Sequence, residues 1–319
     1  MRLINLIKKM VFYHALENVL MMLSYMVPAY LLTKTGKFEP VHAKGISAIL
    51  LNIAFPAMII NSFQTIEFGF NILLNLSIFF LITILLLFVS ILICFLILRK
   101  KLSDSKYRIL SIASWLGNVG FLGGPLISSL YPKSPIVLCY SSIYATAMTI
   151  IYFTLGVYIL TMDKNDMSLF LAIFNQGTIS LATGVIIYLA EWHFSEALGN
   201  VVSVLGKMST PLCMFILGMR LSKAYLADLF KRPLVYVICL IKLLIFPFIS
   251  YAIVFFMDLD EEFKASIFIL SASPCDAFIL SLADLYNTEE ELSTNVVLVS
   301  TIISIITLPF IATFFKNQY

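Results

Sequence analysis

A short run of polar and helix-breaking residues interrupts an apolar stretch near the end of the chain. It reads Ser273-Pro274-Cys275-Asp276, and the apolar stretch extends from residue 266 to residue 286. This order is typical of a helix start, with Ser273 at the N-cap, Pro274 at N1 and Asp276 at N3. The run therefore predicts a helix that begins inside an apolar segment, where its free N–H groups can bind an anion.

A second apolar stretch, residues 111–131, is interrupted in the same way 155 positions earlier. Asn118 occupies the position that matches Ser273, and Gly120 and Pro125 follow it. In a helix interior a glycine costs about 1 kcal/mol and a proline about 3 kcal/mol, so both stretches are expected to be broken helices. Two half-helices would then direct their positive ends into one cavity. The alternative is that the glycines only allow close helix packing.

Asp276 is the most informative single charge in the chain. An ionised carboxylate at membrane depth is costly, and such residues usually have a function. One interpretation makes Asp276 a proton carrier, and the other makes it the capping acid of the helix that starts after Ser273. The two roles are compatible. Phe121 occupies the matching position of the first stretch, so only one of the two stretches carries the acid.

Lys207 lies in another apolar segment, four residues before Pro211, and at the same offset Asn52 lies four residues before Pro56. A proline leaves the carbonyl four residues earlier without its helical partner, so both side chains lie at a freed acceptor. A buried Lys207 could bind a substrate carboxylate, pair with Asp276 or take part in ion coupling; alternatively it extends to the membrane surface. The predicted helix breaks are at Pro56, Pro125, Pro211 and Pro274.

The composition is that of a polytopic membrane protein. Hydrophobic residues make up 61% of the 319 residues and charged residues 12%, whereas roughly a quarter of the residues in a soluble domain are charged. The net charge of +3 is too small and too scattered for nucleic-acid binding. The five cysteines lie in apolar segments without CxxC spacing, so we expect free core thiols, no metal site and no cofactor.

Ten apolar segments have spanning length. Lysine and arginine are concentrated in the loops after odd-numbered segments, which predicts that these loops are cytoplasmic and that both termini lie outside, in a plasma (inner) membrane. Lys242 is expected to reach a cytoplasmic-side interface. The segments are residues 14–33, 44–64, 71–98, 107–131, 135–161, 168–190, 198–221, 233–257, 264–286 and 293–315.

Ten segments divide into two sets of five with opposite orientations. The offset that aligns the two broken stretches also aligns Pro56 with Pro211. We therefore predict an all-α fold of two inverted repeats, with residues 1–162 forming the first five-helix repeat and residues 163–319 the second.

The chain resembles the auxin efflux carrier family, which includes bacterial malonate and malate permeases and plant PIN carriers. The resemblance covers nearly the whole length. It implies that helices 4 and 9 cross at their breaks, that a scaffold and a transport domain move past each other like an elevator, and that two chains form a homodimer. It is carried by Leu51-NIAFPAMI-Ile60, Gly117-NVGFLGG-Pro125, Pro211-LCMFIL-Gly218, Ser273-PCDAFILSLADLY-Asn287 and residues 292–309.

Asn118 matches the family's crossover asparagine, which helps to hold the substrate's carboxylate. Two positions depart from the family pattern. Lys207 stands where relatives usually have a small or neutral residue, and Asp276 where they usually have a small or polar one. The substrate and the coupling ion are therefore not transferred from the family.

The hypothesis is a secondary active transporter of a small organic anion, a mono- or dicarboxylate, with proton or sodium coupling. The alternatives are an intramembrane enzyme that uses Asp276 and Asp284, and a channel or sensor without coupled transport. The two acids lie eight residues apart on one segment rather than on facing helices, so no catalysis is expected. The predicted substrate-binding residues are Asn52, Asn118, Lys207, Gly120, Ser273, Pro274 and Cys275, and the predicted coupling residues are Asp276 and Lys207.

Overall fold

The computed structural model describes residues 2–163, 168–224 and 229–315, and these ranges contain helices and short connections. Eight of the helices described are long and apolar enough to cross a membrane, and four between them are shorter. In chain order they are α1 (Lys8–Lys34), α2 (Val41–Gln64), α3 (Phe70–Leu98), α4 (Ser105–Ala113), α5 (Val119–Leu130), α6 (Ile136–Thr161), α7 (Leu169–Leu189), α8 (Glu196–Lys223), α9 (Pro233–Phe255), α10 (Glu261–Ser271), α11 (Phe278–Leu285) and α12 (Glu290–Ala312).

Several of the long helices are interrupted locally. Helix α1 extends back to Arg2 and has a turn at Tyr25. Helix α7 is interrupted after Ile173, where Asn175 caps its second part, and α8 has a turn at Met208 that divides it into two halves.

The sequence predicted ten spanning segments, and the described ranges contain eight continuous ones. The predicted segments at 107–131 and 264–286 each consist of two short helices. The first break lies at residues 114–118 and the second break at residues 272–277. The helix-disrupting residues therefore interrupt these segments near their middles, as expected. The total of ten crossings and the inverted repeat remain predictions.

The prolines inside the membrane helices have different effects. A π-helical turn lies just before Pro56 (Leu50–Ala54) and just before Pro125 (Val119–Gly123). The wider turn accommodates a proline ring that cannot donate a hydrogen bond. Pro56 and Pro125 therefore each mark a wide turn in a continuous helix rather than the predicted break. Pro211 lies in the first turn of the second half of α8.

The helices pack into two groups. Group A (residues 26–64 and 169–223) contains the second half of α1 together with α2, α7 and α8, and here α2 packs against α7 and α8. Group B (residues 70–161 and 233–312) contains α3 to α6 and α9 to α12, with α3 packed on α6 and α9 on α10 and α12. Helix α6 also contacts α2 and α7, so it forms part of the boundary between the groups.

Small residues hold group A together. A Cβ atom at Gly206 would lie 2.9 Å from the Cα of Met58, and one at Gly218 would clash with the carbonyl oxygen of Met26. The helices approach closely because these positions lack a side chain, and such contacts stabilise helix pairs in membranes. The glycine-packing alternative concerned the broken stretches, where Cβ atoms at Gly123 and Gly124 would clash with the hydroxyl groups of Ser273 and Ser141.

Candidate functional site

The two breaks pair with each other inside group B, and we call the paired breaks the junction. Gly117 and Cys275 form an antiparallel β-bridge. The N–H of Asn118 donates to the carbonyl oxygen of Pro274 over 2.7 Å. Backbone groups that the breaks leave without helical partners are thus satisfied by one another, which a broken helix in a membrane requires.

Asp276 lies at the junction, just before α11. Its side chain is 3% exposed, and its Oδ1 accepts a hydrogen bond from the N–H of Phe278 over 3.0 Å. Its own N–H donates to the carbonyl oxygen of Leu116 over 3.3 Å. The carboxylate therefore accepts a hydrogen bond at the positive end of α11, but it precedes this helix and is not the N3 acid of a helix starting after Ser273 that the sequence predicted. Proton transfer by the same group remains a prediction.

Ser273 does not cap α11. The helix begins at Phe278 rather than at Pro274, and the Ser273 hydroxyl donates to the carbonyl oxygen of Ile269 over 3.5 Å. The Ser273 N–H donates to the carbonyl oxygen of Leu270, so this residue closes the end of α10. The predicted helix start was wrong because the second break is held in its pairing with the first break and cannot join α11.

Asn118 is the N-cap residue of α5, but its side chain makes no capping hydrogen bond. Its Nδ2 donates to the sulfur of Cys213 on α8 over 3.6 Å. Its Oδ1 is buried and has no hydrogen-bond partner among the residues described. Leaving a buried acceptor unpaired costs roughly 1–3 kcal/mol. The amide therefore contacts group A through Cys213, and its oxygen is an unpaired acceptor inside the protein.

A cavity of about 740 Å³ lies between the two groups, beside the junction. Phe121, Cys213 and Asp276 line it near the junction, and Lys44 and Lys223 line it near the helix ends. The remaining lining residues come from α1, α2, α8 and α11 and the connection before α11. They are Thr33, Ala43, Ser47, Ala48, Leu50, Leu51, Ile216, Met219, Arg220, Ala277, Phe278, Leu280, Asp284 and Leu285.

The charges in the cavity are distributed unevenly. Arg220 of group A forms an ion pair with Asp284 of group B, so this contact joins the two groups. Lys44, near the start of α2, and Lys223, at the end of α8, also line the cavity. The basic side chains therefore lie towards the helix ends and Asp276 lies beside the junction. Such a distribution attracts anions to the basic part of a cleft.

The family model described as membrane transport protein matches residues 14–312. The chain belongs to this family. It is similar to an uncharacterized transporter of Methanothermobacter thermautotrophicus, with 26% identity over 310 residues that cover 94% of this chain and 98% of that protein. The match confirms the resemblance drawn from the motifs. The protein is accordingly a multi-pass membrane transporter.

Lys242 is a cation at the junction of this transporter that sequence reasoning missed. It is 0% exposed, and its Nζ donates to the carbonyl oxygen of Ser271 over 2.6 Å. The same Nζ lies 5.2 Å from the ring centroid of Phe246. The expected position at a cytoplasmic-side interface was wrong, because the side chain points inward. The position of Lys242 well inside the 23-residue span of α9 was the feature of the sequence that could have indicated a buried side chain.

The transporter's Lys207 and Asn52 lie outside the cavity lining, and both are exposed on group A. The Oδ1 of Asn52 accepts a hydrogen bond from Nε2 of Gln176 over 3.0 Å. Gly206 faces the backbone of Met58, and the next residue along a helix points about 100° away. Lys207 is therefore on the outer side of α8 rather than buried, as the sequence had suggested. Binding roles for these two residues remain predictions.

Gly120 and Cys275 support the junction of the transporter from two sides. A Cβ atom at Gly120 would lie 3.3 Å from Cε of Met58 and 3.8 Å from Cβ of Ala145. Gly120 therefore lies at the boundary between the groups, where they pack closely. The N–H of Cys275 donates to the hydroxyl of Ser300 over 3.1 Å. Both residues are buried and neither lines the cavity.

Proposed function

We propose that the protein is a secondary active transporter of a small organic anion, a mono- or dicarboxylate. The observation that carries this proposal is the cavity between the two groups. It extends from the buried junction to a wall that carries Lys44, Arg220 and Lys223. Its volume of about 740 Å³ lies within the range of sites that hold small molecules.

The substrate carboxylate binds next to the first break. The Asn118 amide donates to it from Nδ2, and the unpartnered Oδ1 accepts a hydrogen bond from a hydroxyl or a protonated carboxyl group of the same anion. Ser273, Pro274, Cys275 and Gly120 hold the backbone of the site in place through the contacts described above. The free-energy cost of removing the anion from water is then small, because the site replaces the hydrogen bonds that the anion made with water.

Transport occurs when group B moves past group A and carries the bound anion with it. In this proposal group A is the fixed scaffold. The cavity lies on the boundary, so a displacement of group B changes the side to which it opens. With odd-numbered loops in the cytoplasm of a plasma membrane, the basic wall faces inward. Two such chains form a homodimer.

Asp276 couples transport to protons. An ionised Asp276 repels an anion that reaches the junction, and protonation removes this repulsion. The anion and the proton therefore bind and cross the membrane together. Asp276 moves with group B, so the proton is released on the side where the substrate is released.

Reconstituted proteoliposomes test this function directly. Uptake of a panel of labelled mono- and dicarboxylates is measured with and without an inward proton gradient. We expect at least one of them to be transported, with faster uptake under the gradient. Lys133→Gln serves as a control, because its exposed side chain lies outside the cavity lining.

Two results would overturn the proposal. One is the absence of uptake for every carboxylate tested; the other is unchanged uptake in the combined Asn118→Ala and Asp276→Asn variant. Counterflow into preloaded vesicles separates a carrier from a channel, since only a carrier exchanges internal for external substrate against a gradient.

A further inference from the structure

We propose that the Lys242 ammonium group is a tethered cation that takes the place of a free coupling cation at the junction, so that transport does not use sodium. Its consequence for transport rests on the proposed function. The first half of the proposal, that a side chain fills a cation site, depends only on the geometry of the junction.

The position of the ammonium group is one that suits a cation. Ser271 is the last residue of α10, and the carbonyl groups at a helix end carry partial negative charge. The Nζ of Lys242 contacts the Ser271 carbonyl oxygen at 2.6 Å. Carbonyl ends of interrupted helices hold coupling cations in broken-helix transporters. The Phe246 ring, 5.2 Å from Nζ, adds a cation–π contact.

The first break is shaped around the same group. A Cβ atom at Gly117 would lie 2.7 Å from Nζ and 3.0 Å from Cε of Lys242. Gly117 is also the residue that pairs with Cys275 in the β-bridge. The ammonium group therefore lies against both breaks and is enclosed there, instead of extending to the membrane surface.

Comparison of the two halves of the sequence supports a paired role for Lys242 and Asp276. At the offset of 155 residues, Lys242 corresponds to Leu87 and Asp276 to Phe121. Both counterparts are buried and apolar. The second half thus carries one buried base and one buried acid where the first half carries neither. A buried charge without compensation is strongly destabilising, so each of the two charges offsets the other.

Loss of the side chain should convert the tethered site into an ordinary cation site. Lys242→Ala leaves the Ser271 carbonyl and Asp276 without their positive charge and opens space at the junction. A sodium or ethylammonium ion can then enter. Lys242→Met is the matched control, because it removes the charge and fills most of the space.

Thermal unfolding of the purified full-length protein in detergent gives the first test. Sodium chloride, ethylammonium chloride and choline chloride are compared at equal ionic strength. We expect the wild-type melting temperature to be the same in all three salts. Lys242→Ala should melt lower in choline and gain about 3 °C or more in sodium or ethylammonium. Lys242→Met should melt lower than wild type and show no such gain.

Uptake in proteoliposomes gives the second test. Wild-type transport should be equal in sodium and choline media, and Lys242→Ala should lose about tenfold or more, with part of the loss recovered in ethylammonium or sodium. Sodium-stimulated uptake by the wild type would overturn the proposal, as would wild-type rates in Lys242→Met. If no carboxylate is transported, the proposed function fails, while the melting experiment still decides the cation site.

A double variant covers the case in which Lys242→Ala does not fold. Lys242→Leu with Asp276→Phe restores the residues found at Leu87 and Phe121. We expect the double variant to melt higher than Lys242→Leu alone, because it has no uncompensated charge. A double variant that is no more stable than Lys242→Leu would show that the two charges do not offset each other, and would refute the proposal.

Discussion

The Asn118 side chain keeps a buried oxygen without a partner, which is unfavourable for folding alone. We therefore expect Asn118→Ala to leave the melting temperature unchanged or to raise it, because the unsatisfied oxygen is removed. The same change should weaken substrate binding by about tenfold, or about 1.4 kcal/mol. Melting curves and substrate titrations of the two proteins measure both effects. A lower melting temperature with unchanged affinity would make Asn118 a structural residue only.

Gly117 is a position at the junction that leaves little room for a side chain. Its Cβ atom would lie 2.7 Å from Nζ of Lys242 and 3.3 Å from the carbonyl oxygen of Ser273. We expect Gly117→Ala to destabilise the protein by roughly 1–3 kcal/mol, as overpacked sites do. Gly45→Ala is the control, because it lies in a helix with nothing within 4 Å of its Cβ position, and it should be neutral or stabilising. Equal melting temperatures for the two variants would contradict this.

At the scale of the helices, the sequence predicted where the breaks lie but not how each helix resumes. Glycine and proline positions marked both breaks, because their cost inside a helix is a local property. The start of α11 at Phe278 depends on the pairing of the second break with Leu116 and Asn118, which are far away in the sequence. Whether a lysine side chain points inward or outward also depends on contacts with residues that are distant in the sequence. Lys207 and Lys242 both lie in apolar spans, and only packing distinguishes them.

The start of α11 also allows the two roles of Asp276 to be separated. Asp276→Asn keeps an oxygen that accepts the hydrogen bond from Phe278, so α11 should remain capped. The amide cannot carry a proton. We expect stability above that of Asp276→Ala but below that of the wild type, because Lys242 loses its compensating charge, and uptake that no longer responds to a proton gradient. Asp276→Ala should lose both properties. Uptake by Asp276→Asn that still follows the gradient would assign proton coupling to another group.

At the scale of the whole molecule, composition and apolar segments were sufficient to predict a polytopic helical membrane protein. The grouping of helices was not accessible in this way. Group A combines residues 26–64 with residues 169–223, so each group draws on both halves of the chain. A cavity between such groups forms only after they have packed. Of the site residues predicted from the sequence, only Asp276 is in the cavity lining, while the basic side chains of Lys44 and Lys223 came from the structure.

Relative movement of the groups can be tested with a cross-link across the cavity. Arg220 and Asp284 form an ion pair between group A and group B, so Arg220→Cys with Asp284→Cys places two thiols on opposite sides of the boundary. Bridging them with a short thiol-reactive linker should stop uptake, and cleavage of the linker should restore it, since group B can no longer be displaced. Gln64→Cys with Trp192→Cys is the matched control: both residues lie within group A and outside the cavity lining, and Nε2 of Gln64 donates to the carbonyl oxygen of Trp192 over 3.0 Å. Its bridge should leave uptake intact. Transport that continues with the first pair bridged, or that stops equally with the second, would exclude sliding of group B against a rigid group A.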